Sequence, residues 1–271
     1  MTSSTEASAD AARPAVTSVV DGPVLEVTLD RPKANAIDAA TSRELSAVFA
    51  EFRDTPELRV AIFSAAGDRF FSAGWDLNAA AAGEEFEADY GEGGFGGFGE
   101  LPGLAKPVIC AVNGMAVGGG FEIVLAADLV VAAETARFWL PEAGLGIIAD
   151  TASVRLPRML PPVVANEVLY AGRRLDAAEA LRWGLVNAVV TGGDLMPETR
   201  ALAKRVALSA PLSVAAISEI GRRTAHLGLP EAFESLRSGQ LAAYEAMLAS
   251  DDATEGPRAF TEGRPPRWQN R

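Results

Sequence analysis

Residues 108–122 read VICAVNGMAVGGGFE, and this stretch decides the fold class. Val108 to Val112 is an apolar run of strand length, and Asn113-Gly114 is turn chemistry. The triplet Gly118-Gly119-Gly120 then opens an apolar run from Phe121 to Ala127 that reads as a buried helix. A strand end, a turn and a helix start meet at three glycines, where unpaired backbone N–H groups favour negative charge on whatever they face. Glu122 falls in the first turn of that helix, three residues after Gly119, within reach of a group held by those amides. Glu142 follows 20 residues later in Leu140-Pro141-Glu142-Ala143-Gly144, which reads as a loop after a strand. Two acids beside an anion hole suit proton transfer. A Glu in a first turn also simply favours the helix dipole, so spacing alone leaves both readings open.

Outward from this centre the same alternation repeats. Leu25, Val27 and Leu29 alternate with Glu26 and Thr28 as in a half-buried strand, and Asp38 can cap a helix that gathers Leu45, Val48, Phe49 and Phe52 on one face. A strand at Val60 to Phe63 precedes a loop at 64–74 and a short alanine-rich helix. Asp128 to Ala132 is a further strand, Asp176 caps a helix that Gly184 ends, Leu185 to Val190 is a last strand, and helices fill much of 198–250. Strand and helix alternation of this kind is α/β, with helices packed on sheets.

Composition narrows the function. The 271 residues are 49% hydrophobic and 22% charged, the balance of a soluble globular chain, and the net charge of −12 opposes nucleic acid and anionic lipid surfaces. One cysteine, Cys110, and one histidine, His226, exclude a disulfide framework and any zinc site of several Cys or His ligands. Residues 1–15 lack an apolar core, so they read as a disordered tail rather than a secretory signal, and no run is long enough to span a membrane; a cytoplasmic location is expected.

Several motifs read as packing or loop. Gly91 to Gly96 fits a dinucleotide fingerprint, but it stands between no strand and helix; with six glycines and two phenylalanines, Gly91 to Gly99 is expected to be a mobile loop. His226 sits near a helix end and Cys110 inside an apolar strand, where capping and packing outweigh chemistry.

Five segments carry a resemblance: Asn35-Ala36 after Asp30-Arg31-Pro32, Phe71 to Leu77, Asn113-Gly114 with Gly118 to Glu122, Pro141-Glu142, and Ala180 to Asn187. In order and spacing they resemble the crotonase, or enoyl-CoA hydratase/isomerase, family over about residues 16–265. Ser72 to Leu77, the Gly-Phe loop, Leu160-Pro161-Pro162, Ala171 to Asn187 and Glu255-Gly256-Pro257 are most similar to its crotonobetainyl-CoA hydratase (carnitinyl-CoA dehydratase) branch.

The resemblance implies an α/β crotonase (ClpP-like) spiral of ββα units, with a core at 16–205 and a C-terminal helical trimerisation region at 206–271. It implies an oxyanion hole from the backbone N–H groups of Trp75 and Gly119, with Glu122 activating the water added at Cβ and Glu142 exchanging the proton at Cα. Arg31, Lys33, Ala36, Ala73, Asp76, Leu77, Phe260 and Arg264 fall at substrate- and CoA-binding positions. Phe95 and Phe98 of the Gly-Phe loop, with Trp75, are expected to meet the acyl end, where aromatic faces either hold a trimethylammonium group or only exclude water from a plain hydrocarbon chain. No metal and no cofactor beyond the CoA of the substrate is implied, and the assembly implied is a homotrimer or homohexamer.

Two departures from the family pattern stand out. Ile147 to Ser153 replaces a glycine-rich stretch, and Gly263 stands where a lysine is common. The expected activity is hydration or dehydration of a short 2-enoyl-CoA, with crotonobetainyl-CoA as the candidate acyl group. The alternatives are a general enoyl-CoA hydratase of fatty-acid β-oxidation, and a non-catalytic acyl-CoA-binding homologue whose 147–153 loop has displaced Glu142.

Overall fold

Strand residues with both faces apolar must be covered on both sides, and the central strands here are of that kind. The computed structural model describes residues 14–271, so residues 1–13 of the expected tail lie outside the described residues. The order is β1 (Val16–Asp21), β2 (Val24–Leu29), α1 (Ala39–Asp54), β3 (Val60–Ala65), β4 (Phe70–Ser72), α2 (Leu77–Ala81), β5 (Val108–Val112), β6 (Met115–Val117), α3 (Gly119–Ala126), β7 (Leu129–Ala133) and β8 (Arg137–Trp139). Then come α4 (Asp150–Met159), α5 (Pro162–Ala171), β9 (Leu175–Asp176), α6 (Ala177–Trp183), β10 (Ala188–Val190), α7 (Leu195–Ala207), α8 (Pro211–Thr224), α9 (Leu229–Arg237), α10 (Ala242–Leu248) and α11 (Asp251–Thr261).

Six strands form one sheet in the order β1-β2-β3-β5-β7-β10, parallel after the antiparallel β1–β2 pair. Four form a second sheet, β4-β6-β8-β9. Each turn of the spiral is therefore one ββα unit: a strand in the large sheet, a strand in the small one, then a helix, as in β3-β4-α2, β5-β6-α3 and β7-β8-α4. Alternate residues of a strand go to two cores. Ala61, Phe63, Cys110 and Val112 join the larger one with Phe49, Phe71 and Phe121, while Val60, Ile62, Ile109 and Ala111 pack against Leu195, Ala203 and Ala207 of α7. From α8 onward the helices pack chiefly on one another. Among the described residues no single helix is long and apolar enough to cross a membrane.

The caps lie where the sequence puts them. Asp38 accepts from Thr41 N–H, Asp176 accepts from Glu179 N–H, and Gly184 closes α6 in the left-handed region. Two expectations need correction. The 64–74 loop contains β4, too short to show alternation. The last strand starts at Ala188 rather than Leu185, because Leu185 N–H turns back to the Ala180 carbonyl to close α6, and pairing with β7 begins only where Asn187 N–H meets the Val130 carbonyl.

The glycine-rich stretch 91–99 is fastened to α1 rather than loose. Ser46 Oγ accepts from Gly93 N–H at 2.9 Å, and Ser42 Oγ accepts from Gly96 N–H at 3.1 Å. Its glycines permit contact: at Gly97, with φ +88°, a Cβ would stand 2.6 Å from Leu45 C and Ser46 N. Gly97→Ala is therefore expected to cost about 1 to 3 kcal/mol, from the left-handed backbone and the clash together. An unchanged urea midpoint would remove this account.

Candidate active site

Two chain crossings build the centre of the site. β6 ends at Val117, Gly118 takes φ +55° while its N–H donates to the Trp139 carbonyl at 2.8 Å, and α3 starts at Gly119. Against it runs the segment after β4, where a Cβ on Gly74 would lie 2.6 Å from Gly119 N and 2.7 Å from Val117 O. Only a glycine lets these backbones touch. Ser72 Oγ fixes that segment, donating to the Asn35 carbonyl at 2.7 Å and accepting from Gly74 N–H at 3.1 Å. Ile37 bridges across it, donating to the Gly74 carbonyl and accepting from Asp76 N–H. Between these bonds the Trp75 N–H has no acceptor among the described residues, and the Gly119 N–H, first in its helix, has none either. Both residues line one cavity of about 600 Å³.

The two acids enter the same cavity from different elements. Glu122 projects from the first turn of α3 and its Oε1 accepts from Ala152 N–H, in the first turn of α4, at 2.8 Å. Burial pushes its carboxyl above the usual range, opposed by that N–H bond. Glu142, in the short 3-10 turn Glu142–Leu145, is buried; its Oε2 has no hydrogen-bond partner among the described residues, and its Oε1 lies 2.5 Å from where a Gly118 Cβ would be. Burial first, with repulsion from Glu122 added, raises it to about 7. One carboxyl held by an amide and one left unpaired near neutrality form a pair able to carry opposite protonation states.

The enoyl-CoA hydratase/isomerase family profile matches residues 20–271. Carnitinyl-CoA dehydratase of Citrobacter koseri is 57% identical over 251 residues, 92% of this chain and 96% of the relative. The Escherichia coli K12 protein of the same name is 56% identical over 252 residues, 93% and 97% of the two chains. The crystal structure of enoyl-CoA hydratase from Mycobacterium tuberculosis H37Rv superposes with a TM-score of 0.87 at 36% identity, over 96% of this chain and all of that one. The chain belongs to the enoyl-CoA hydratase/isomerase family. Its fold is the crotonase spiral, and its chemistry is that of an enoyl-CoA hydratase-type hydro-lyase.

Within this family member the other expected site residues divide. Ala73, Leu77 and Phe95 line the cavity with Trp75 and Gly119, and the Phe95 ring lies directly over Gly119, 2.4 Å from where its Cβ would be. Phe98 does not: it is buried in the core against Phe49, with ring centroids 4.8 Å apart, because the glycines turn it away from Phe95. Arg31 is committed internally, donating to the Ala36 carbonyl and Asp76 at 2.7 Å and to Asp38 at 2.5 Å, so its guanidinium braces the caps of α1 and α2 instead of standing open to a phosphate. Asp76 is that α2 cap and is buried, while Lys33 is exposed on the turn before α1. Phe260 is 87% exposed on α11, and Arg264 is paired to Glu255 and Glu262; neither lines the cavity. His226 is exposed and Cys110 buried, as packing predicts.

Residues the sequence reading missed complete the walls: Phe86, Tyr90, Trp139 and Asp150. The available signal was the acid and aromatic mixture of residues 84–90, EEFEADY, just after the Trp75 segment. The 147–153 stretch has not expelled Glu142; it lends Ile147, Ile148, Asp150 and Thr151 to the same cavity and the Ala152 N–H to Glu122.

Proposed function

We propose that the chain interconverts crotonobetainyl-CoA and carnitinyl-CoA by adding or removing water across the Cα–Cβ bond. The observation that carries the chemistry is the meeting of two raised carboxyls and two acceptor-free N–H groups in one cavity. The acyl group is supported by relatives named carnitinyl-CoA dehydratase at 56–57% identity over more than nine-tenths of the chain. The thioester oxygen sits between the Trp75 and Gly119 N–H groups, which stabilise the enolate where water is excluded. Glu122 as carboxylate takes a proton from the water that adds at Cβ, and Glu142 as acid gives one to Cα. Side chains thus carry both protons, and the reaction as proposed draws on no cofactor beyond the CoA moiety.

The same reading includes a cytoplasmic location and assembly as a homotrimer or homohexamer. Exposed Ile217, Leu229, Phe233 and Leu248 on α8 to α10 support the assembly.

The enoyl thioester's absorbance tests the reading directly. Hydration needs Glu142 protonated and Glu122 ionised, so on its alkaline side kcat should fall as pH rises through the Glu142 value of about 7. Dehydration needs the Glu142 carboxylate and should rise over the same range. Hydration of crotonyl-CoA with no turnover of crotonobetainyl-CoA would replace this reading with that of a general enoyl-CoA hydratase.

A further inference from the structure

The lining of the cavity is lopsided in charge. Glu87, Asp89, Glu100, Glu122, Glu142 and Asp150 contribute to it, and among the described residues no lysine, arginine or histidine does. Two of these acids belong to the proton transfers; the others need a different account. Beside them stands a set of interlocked rings. Trp75 meets Phe86 edge-on at 5.5 Å, Tyr90 meets Phe95 edge-on at 5.3 Å, and all four line the cavity.

The rings are held from behind. The Trp75 indole N–H donates to Glu84 at 2.8 Å, and the Tyr90 hydroxyl donates to the Phe86 carbonyl at 2.9 Å, so these polar tips are already satisfied by the protein. What remains toward the cavity is aromatic surface. Asp150, in the first turn of α4, is exposed and uses Oδ1 to accept from Thr151 N–H at 2.8 Å. It lines the same cavity as Glu122 and the rings, and its charge raises both Glu122 and Tyr90. The Tyr90 phenol is pushed up to about 12 by burial and by the charges of Glu84, Glu87 and Asp150.

Aromatic faces with unpaired carboxylates close by suit a cation that has no hydrogen to donate, and they penalise a plain hydrocarbon end, which would desolvate the acids without compensation. We propose that the acyl end of the cavity is a quaternary-ammonium compartment, walled by Phe86, Tyr90 and Phe95, with Asp150 as counter-charge, and that these residues set substrate specificity. The proposal rests on the substrate reading above and assigns it to named side chains.

The test compares crotonobetainyl-CoA with its uncharged carbon isostere, 5,5-dimethylhex-2-enoyl-CoA, which has the same shape. The wild-type chain should prefer the cation, and Asp150→Asn and Tyr90→Leu should each cut the ratio of the two kcat/KM values by about 5- to 30-fold. Any effect of Asp150→Asn on the acidity of Glu122 falls on both substrates and cancels in the ratio. The two variants are independent arms, one on an exposed residue and one on a ring. Equal turnover of both substrates by wild type, or equal losses in the variants, overturns this proposal and leaves the substrate reading standing. Hydration of the isostere with none of crotonobetainyl-CoA overturns both.

Discussion

Glu122→Gln and Glu142→Gln should each lower kcat by at least about 100-fold, the scale of general acid–base help, with KM changing less. Glutamine keeps the volume of either side chain. At position 122 its carbonyl oxygen still accepts the Ala152 N–H that now holds Oε1, so position is preserved while the basic oxygen is lost. At position 142 the substitution removes a proton that the carboxyl binds with a pKa of about 7, and it also removes the pH limb assigned to that group. Steady-state turnover of the enoyl thioester across pH 6 to 8.5 reads both effects. Near-full activity in either variant would end the two-acid mechanism, and a surviving limb in Glu142→Gln would move it to another residue.

Gly119→Pro should abolish measurable turnover. Proline deletes the N–H that has no acceptor among the described residues, and loss of one such donor costs about 10² to 10³ in rate. Position 119 is the first residue of α3, a place where a helix accepts proline, so the fold should survive. Space is the complication, because any Cβ there meets the Phe95 ring at 2.4 Å. Two controls separate the effects. Gly119→Ala brings the same clash but keeps the N–H, and Phe95→Ala with Gly119→Pro relieves the clash but not the missing donor. The donor account requires Gly119→Ala to retain turnover and the double variant to remain inactive. A folded, active proline variant, judged by circular dichroism and assay together, would place the hole elsewhere.

Much of the centre was legible in the chain because its chemistry is local. Strand, Asn-Gly turn, three glycines and Glu122 are contiguous, and Glu142 follows a short strand, so order along the sequence nearly equals arrangement in space. The misreadings share an opposite cause. The Arg31 partners lie 7 and 45 residues away, and no spacing reveals that both are caps needing a counter-charge. Phe95 and Phe98 are three residues apart in a segment without a regular period, and the positive φ of Gly96 and Gly97 sends one ring to the cavity and the other to the core. Glycine content argued for mobility in 91–99, yet these glycines serve close approach to α1, a property of the neighbour rather than of the segment. Tyr90 and Asp150 were missed as cavity residues because they join it from a loop and from the first turn of α4, 60 residues apart.

The all-acid lining has one more effect, on how an acyl-CoA enters. The nucleotide end of that molecule carries several phosphates, and a partly enclosed chamber lined by six acids and, among the described residues, by no basic side chain disfavours it at short range. The acyl end meets no such repulsion, so the field favours entry of the long substrate head first. Free nucleotides, which share the phosphates but lack the acyl arm, are disfavoured by the same field. Charge at the wall thus imposes a direction that shape alone would need a narrow tunnel to impose.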